Sequence, residues 1–301
     1  MTARSRRPPA GSDRSYRRYG RGRGGGPRRG RRLIWLVLVA VMIAAVGLAL
    51  ARNAMDDDPA PAAADPTAAA PQRLLIREGL RREDVARLLD EETSISGDRY
   101  LALTAPGARG RALARARRPT SLEGFLFPAT YEITPETTAA QLVDLQVEAY
   151  RANTSDVNYR YATSRNLTRF DVLTIASMIE REVAVASERP LVASVMYNRL
   201  RAGMRLDIDA TVQYAIGEWK KDLSVADLAT DSPYNTRRFG GLPPGPIASP
   251  GKDSIRAAAH PVPTALIYYV ARNDGTGRHY FSRTAAQFEA DVARAEANAG
   301  G

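Results

Sequence analysis

From Thr168 to Val183 the apolar positions Val172, Ile175, Ala176, Ile179 and Val183 recur at steps of three, four and seven residues. That is the spacing of an amphipathic or buried helix. Thr168, with Asp171 three residues on, supplies the N-cap. The same periodicity predicts helices at Thr138–Ala152, at Ser187–Ala202 and at about Thr284–Ala297. In the second of these Ser187 is the expected cap, with Pro190 tolerated in the first turn. Nearer the N-terminus, RLLIRE from Arg73 reads as a short strand, EDVARLLDEE as a helix and DRYLALT as a second helical piece. Leu266–Val270 and His279–Phe281 read as strands on either side of a turn at Asn273-Asp274-Gly275. The loop GGLPPGPIASPG, ending at Gly251, is too rich in Pro and Gly for either regular element. It is either a rigid wall beside a groove or a plain crossover. The mixture predicts an α+β fold in which helices dominate.

One apolar run is different in kind. Leu33 to Leu50 holds eighteen residues without a charge, a helix of about 27 Å against a hydrocarbon core of about 30 Å. Arg31 and Arg32 precede it, and Asp56 to Asp58 follow it. The positive-inside rule then puts the N-terminus in the cytoplasm and residue 53 onward outside. The alternatives are a signal cleaved after Ala49-Leu50-Ala51 or a twin-arginine signal at Arg31-Arg32, but the run exceeds a signal's usual apolar length. An uncleaved single-pass membrane anchor is the expectation. Residues 52–72, rich in Ala, Pro and Asp, read as a linker.

The formal charge of +10 suggests a nucleic-acid partner until it is located. Residues 1–32 carry 12 Arg against one Asp, and the remaining 269 residues are near neutral at −1. The Arg/Gly-rich tail is a low-complexity, disordered segment suited to anionic lipid headgroups, so no nucleic-acid partner is expected. With no cysteine and only His260 and His279, disulfides, thiol nucleophiles and zinc–thiolate sites are excluded, and neither a metal nor a cofactor is expected.

Within the Thr168–Val183 helix sit two carboxylates, Glu180 and Glu182. Two residues of α-helix turn through about 200°, so the pair cannot share one pocket. Each is surrounded by apolar turn neighbours, and a carboxyl that loses hydration there holds its proton to higher pH. The alternative is a pair of surface glutamates bridging to Arg181 or Arg189.

The order of EGFLFPATYEI (Glu123 to Ile133), the glutamate helix, DSPYNTRRFGGLPPGPIASPG (Asp231 to Gly251), LIYYVARND and HYFSRTAAQFEADV resembles the endolytic murein transglycosylase family, also called MltG or YceG-like. The resemblance runs from Leu122 to Val292 and, more thinly, back to Arg73. It implies a small LysM-like module at 73–120 and a mixed helical and strand catalytic domain at 121–301, beyond the tail (1–32), the transmembrane helix (33–51) and the linker. From the residues alone, 73–120 also fits a spacer packed on that domain.

The implied activity is lytic cleavage of bonds between N-acetylmuramic acid and N-acetylglucosamine in nascent peptidoglycan. One glutamate protonates the leaving oxygen and then takes the proton of the muramoyl C6 hydroxyl as that oxygen attacks C1, giving a 1,6-anhydro end. The family's run Ala-Ser-x-(Ile/Val)-Glu-(Lys/Arg)-Glu falls on Ala176–Glu182, so Glu180 receives the role, with Glu182 as fallback. Asn198, Asp209, Thr211, Gln213, Tyr234, Asn235 and Thr236 lie on matching segments and are the implied substrate-binding residues. Two positions depart from the family pattern. Arg237 stands where an aromatic is frequent, and Gln287-Phe288 where a His is common. The implied location is the bacterial cell membrane, with glycan strands as substrate and peptidoglycan synthases and division proteins as candidate partners. A muramidase-type hydrolase using Asp207 or Asp209 with Glu180, and a non-catalytic wall-binding scaffold, remain the alternatives.

Overall fold

Helix caps written into the sequence set most of the local structure. The computed structural model describes residues 70–107, 121–220 and 222–300. The tail, the apolar run, the linker up to residue 69 and the Arg-rich stretch 108–120 lie outside the described residues, and with them the expectations placed there. Among the described residues no helix is long and apolar enough to cross a membrane.

The first part is a strand–helix–helix–strand unit. Strand β1 (Gln72–Leu75) is followed by α1 (Arg82–Glu92) and α2 (Gly97–Thr104), and β2 (Thr130–Ile133) closes antiparallel on β1 with Leu74 opposite Tyr131. Strand alternation turns Tyr131 and Ile133 inward with Leu74. These side chains meet Val85 and Leu89 of α1, Tyr100 of α2, and Leu142, Val143 and Val147 of α3 (Ala139–Thr154). This core draws on residues either side of position 121, because β2 comes from the EGFLFPATYEI segment. Thr138 caps α3 through a reciprocal pair with Gln141.

The second core is built around α5. After the short α4 (Arg160–Thr163), α5 spans Arg169–Glu182, and the expected Thr168–Asp171 box is present, at 2.7 and 3.1 Å. Every residue from Val172 to Ile179 is buried, so α5 is a central helix rather than a surface one. Packed on it are α6 (Arg189–Arg201), α7 (Asp209–Ile216) and α9 (Lys252–Ala259), while α8 (Val225–Leu228) is a single turn between α7 and α9. Ala176 of α5 and the run Ala257–Ala259 of α9 let the backbones approach closely. Strands β3 (Tyr268–Ala271) and β4 (His279–Ser282) form a separate hairpin with Tyr269 opposite Phe281, and α10 (Ala285–Ala299) packs on both.

One predicted start is corrected. Ser187 lies inside a 3-10 turn (Ala186–Glu188), and α6 begins at Arg189 with Glu188 in the cap position. The Glu188 carboxylate does not cap the helix. It is buried and accepts from the backbone N–H of His279 (3.1 Å), with its other contact at His279 Nδ1 (2.8 Å). A buried carboxylate takes the strongest donors within reach. Those come from β4, which spacing along one helix cannot show.

The Pro/Gly loop divides between the core and the wall of a cavity. Ile247 and Ala248 are fully buried in the second core, while Leu242, Pro243 and Pro244 line a cavity of about 1050 Å³ together with Phe125, Tyr150 and Phe170. The buried Ser177 of α5 fixes this loop. Its hydroxyl donates to the Thr174 carbonyl (2.7 Å) and accepts from the N–H of Ile247 (3.0 Å).

Candidate functional site

The last turn of α5 sends its two glutamates into different surroundings, as the 200° separation requires. The Glu180 side chain is only 7% exposed. Its Oε2 accepts from the backbone N–H of Gly251 at 3.0 Å, and its Oε1 lies 3.8 Å from the Arg189 guanidinium. A second carboxyl, Glu78, reaches the same Gly251 from the loop after β1, on a side chain otherwise open to solvent. Burial, followed by the charge of Glu180, raises the Glu78 pKa, and Arg189 opposes the shift. The arrangement contains a buried carboxyl, a neutral N–H donor and a cation, groups suited to moving a proton.

Glu182 faces the hairpin. It accepts from the Tyr269 hydroxyl (3.3 Å) and from the backbone N–H of Ala210. Burial and then the charge of Asp209 raise its pKa. Tyr269 is in turn raised well above the ordinary phenol range by burial. Its ring stands edge-on to His279, 5.4 Å between centroids. Arg181, between the two glutamates, does not bridge to either. Its guanidinium lies 3.8 Å from the Trp219 ring, and its Nη1 donates to the Gly79 carbonyl (3.2 Å). The surface-pair alternative therefore applies only to Glu180 and Arg189, and there the contact is buried.

The implied substrate-binding residues divide into two groups. Asn198, Thr211, Asn235 and Thr236 are all buried. Asn198 Nδ2 donates to the carbonyls of Thr264 and Leu266 (3.0 and 2.8 Å), tying α6 to the lead-in of β3. Asn235 Nδ2 donates to the carbonyls of Leu228 and Thr230 (3.0 and 2.8 Å). The Thr211 and Thr236 hydroxyls are 2.9 Å apart, and Thr236 Oγ1 accepts from the Ile208 N–H. These four hold the backbone of the site in place. Asp209, Gln213 and Tyr234 are half-buried and closer to solvent. Asp209 pairs with Arg237, and Tyr234 packs on Tyr214 at 4.7 Å. Arg237 is thus held against the chain's own carboxylate rather than left open to solvent. Asp207, in the left-handed region at φ 53°, pairs with Arg199 and Arg205.

Sequence reading missed Glu78, Gly251, Glu188 and Tyr269. Only Gly251 carried a signal. It follows Pro250 directly before α9, where any Cβ would sit 1.8 Å from Glu78 Oε1. Among the described residues no group of three or more His, Asp or Glu side chains could hold a metal ion.

The family model of the YceG-like family matches residues 54–294. The chain belongs to the YceG-like family. Its relatives include the endolytic murein transglycosylase of Bacillus subtilis, 36% identical over 196 residues covering 64% of this chain and 53% of that protein. The endolytic murein transglycosylase of Streptococcus pneumoniae strain R6 is 39% identical over 178 residues, 57% of this chain and 32% of that protein. The chain thus spans about half, or less, of the length of these relatives. A crystal structure of a yceG-like protein from Listeria monocytogenes matches with a TM-score of 0.65 and 34% identity, over 73% of this chain and 76% of that one. The mixed helix and strand architecture is therefore that of the YceG-like family.

Proposed function

We propose that this YceG-like chain is a membrane-anchored lytic transglycosylase that cuts within nascent peptidoglycan strands and leaves 1,6-anhydro ends, with Glu180 as its acid and base. The observation that carries the reading is the Glu180 carboxyl, buried at the end of a rigid core helix and aimed at the Gly251 N–H. A neutral Glu180 gives its proton to the glycosidic oxygen as the C1–O bond breaks. The carboxylate left behind is held by the Gly251 N–H and Arg189. It then removes the C6 hydroxyl proton while that oxygen bonds to C1, which restores the acid. The proton count closes and no water is consumed.

A hydrolase needs a second carboxylate opposite the first. Asp209 acts on Glu182, and Asp207 is occupied by two arginines, which favours the intramolecular route. Glu182, hydrogen-bonded by Tyr269, serves to orient the end of α5. The strand–helix–helix–strand unit supports a LysM-like module that begins at Arg73 and is closed by β2. The uncharged run Leu33–Leu50 and the 12-to-1 Arg/Asp excess before it support residues 33–51 as the single span of the bacterial cell membrane, with the body outside, where synthases and division proteins are the partners to test.

The test is mass spectrometry of glycan ends after digestion by the full chain in detergent. Anhydro ends support the proposal, reducing ends replace it with a hydrolase, and uncut strands leave the scaffold reading.

A further inference from the structure

On the reading that Glu180 is the acid and base, we infer that Glu78 is a positioning residue that shares one proton with it, so that the strand–helix–helix–strand unit completes the catalytic site. The loop carrying Glu78 is fastened to the Pro/Gly loop by two reciprocal backbone hydrogen bonds, Gly79 N–H to the Ser249 carbonyl and Ser249 N–H to the Leu80 carbonyl, each 2.9 Å. Arg181 adds a third tie at the Gly79 carbonyl. Gly251 stands where the two carboxyls meet. Its N–H is bound to Glu180, and a Cβ on it would overlap the Glu78 carboxyl at 1.8, 2.1 and 2.6 Å. Both carboxyls are therefore gathered at Gly251, and the charge of Glu180 adds to burial in raising the Glu78 pKa. Ionised carboxylates only accept, so two carboxyls gathered at one N–H can bond to each other only with a proton on one of them.

The charged groups facing the pair are Arg189 at Glu180, Arg181 beyond Gly79, and Asp253 from α9. The two arginines favour the ionised pair, whereas Asp253 and the mutual repulsion of the carboxyls favour keeping one proton. The pair then titrates as a unit. It holds a single proton before the reaction, none while the leaving oxygen has it, and one again after the C6 hydroxyl is deprotonated. Glu78 touches no reacting atom. It acts by making full ionisation of the pair unfavourable, which keeps Glu180 a competent acid at higher pH.

The experiment is the pH profile of kcat and KM for anhydro-end formation by full-length wild type, Glu78→Gln and Glu78→Ala. A proton must be on the pair for the first step, so activity falls as pH rises past the point where the pair loses it. The Glu78→Gln change removes one charge and places an amide that donates to the Glu180 anion, so that proton leaves earlier. The expected result is an alkaline limb displaced about one unit to lower pH, with kcat at pH 7 reduced about tenfold and KM within twofold. Glu78→Ala shifts the limb in the same direction. Profiles that superimpose on wild type after scaling overturn the proposal and leave Glu78 a purely structural contact. An independent reading is the carboxyl carbon titration of 13C-glutamate-labelled chain. Two coupled steps that become one in Glu78→Gln support the shared proton, and an unchanged pattern refutes it, whether or not the chain cuts glycan. A wild type that makes no anhydro ends while the two coupled steps persist would defeat the transglycosylase reading and leave the shared proton standing.

Discussion

Exchanging Glu180 for Gln isolates proton transfer from architecture. The amide oxygen can still accept from the Gly251 N–H, and the amide nitrogen can still face the neighbouring Glu78 carboxyl, so the buried N–H keeps its partner. Alanine would leave the Gly251 N–H and the Arg189 guanidinium without their anion, at a cost of about 1–3 kcal/mol for an orphaned buried group. Gln is therefore the informative change, and its folded fraction should match wild type by thermal unfolding. The loss in rate is larger. General acid–base assistance contributes ~10²–10⁴-fold, which at about 1.4 kcal/mol per factor of ten is about 3–5.5 kcal/mol of barrier. Because one side chain serves both transfers, the loss should reach the upper end. The assay counts anhydro ends on isolated glycan strands. Glu182→Gln is the control, since that carboxyl meets Tyr269 and the Ala210 N–H on the other side of α5, and it should cost less than about tenfold. If Glu182→Gln is dead while Glu180→Gln turns over, the assignment is displaced by two residues. If both turn over, the acid is elsewhere and the mechanism fails.

Ser177→Ala removes both the acceptor for the Ile247 N–H and a donor to Thr174, so chemical denaturation should show a loss of about 1–3 kcal/mol, whereas an unchanged midpoint would mean that the Pro/Gly loop is held without it. Glu123, 2% exposed and pushed up to about 8 chiefly by burial, is raised in the folded state, so the fold binds the extra proton and stability falls as pH rises from about 4.5 to 8. Glu123→Gln should flatten that fall in urea titrations, and an identical slope would contradict the assignment. The mature chain in membrane fractions should retain its N-terminal segment, and a new terminus at Arg52 would replace the anchor with a cleaved signal.

Legibility followed the range of each interaction. The Thr168–Asp171 cap, the buried stripe of α5, the opposed glutamates and the β3–β4 hairpin depend on residues a few positions apart, and periodicity reports such spacing directly. The pairing of β1 with β2, almost sixty residues apart, is set by shared burial of Leu74, Tyr131 and Ile133, and nothing local announces it. The start of α6 failed for the same reason. Ser187 is a good cap in isolation, but the cap position falls one residue later, on Glu188, whose carboxylate is taken by His279. At the site, the motif marks Glu180 and several buried polar side chains without distinguishing chemistry from scaffolding. Asn198, Thr211, Asn235 and Thr236 turned out to hold carbonyls and N–H groups of the chain itself.

That division has a consequence for how the site is built. A buried acid that must give and regain a proton within one turnover needs surroundings that do not relax around either charge state, and core packing provides them at low reorganisation cost. Here α5 is immobilised along eight consecutive buried residues, and the loop opposite its end is fixed by Ser177, by the Ser249 bonds and by two buried apolar side chains. The four scaffolding residues on α6, α7 and the 230s segment extend that rigidity to the Glu182 side. On the proposed function, the groups open to substrate are the less buried ones at the edges, Asp209, Gln213 and Tyr234, and the aromatic and proline wall of the 1050 Å³ cavity. Buried polar residues of this kind can therefore be indispensable without touching substrate. Replacing them should lower stability and rate together, while replacing edge residues should raise KM with the fold unchanged.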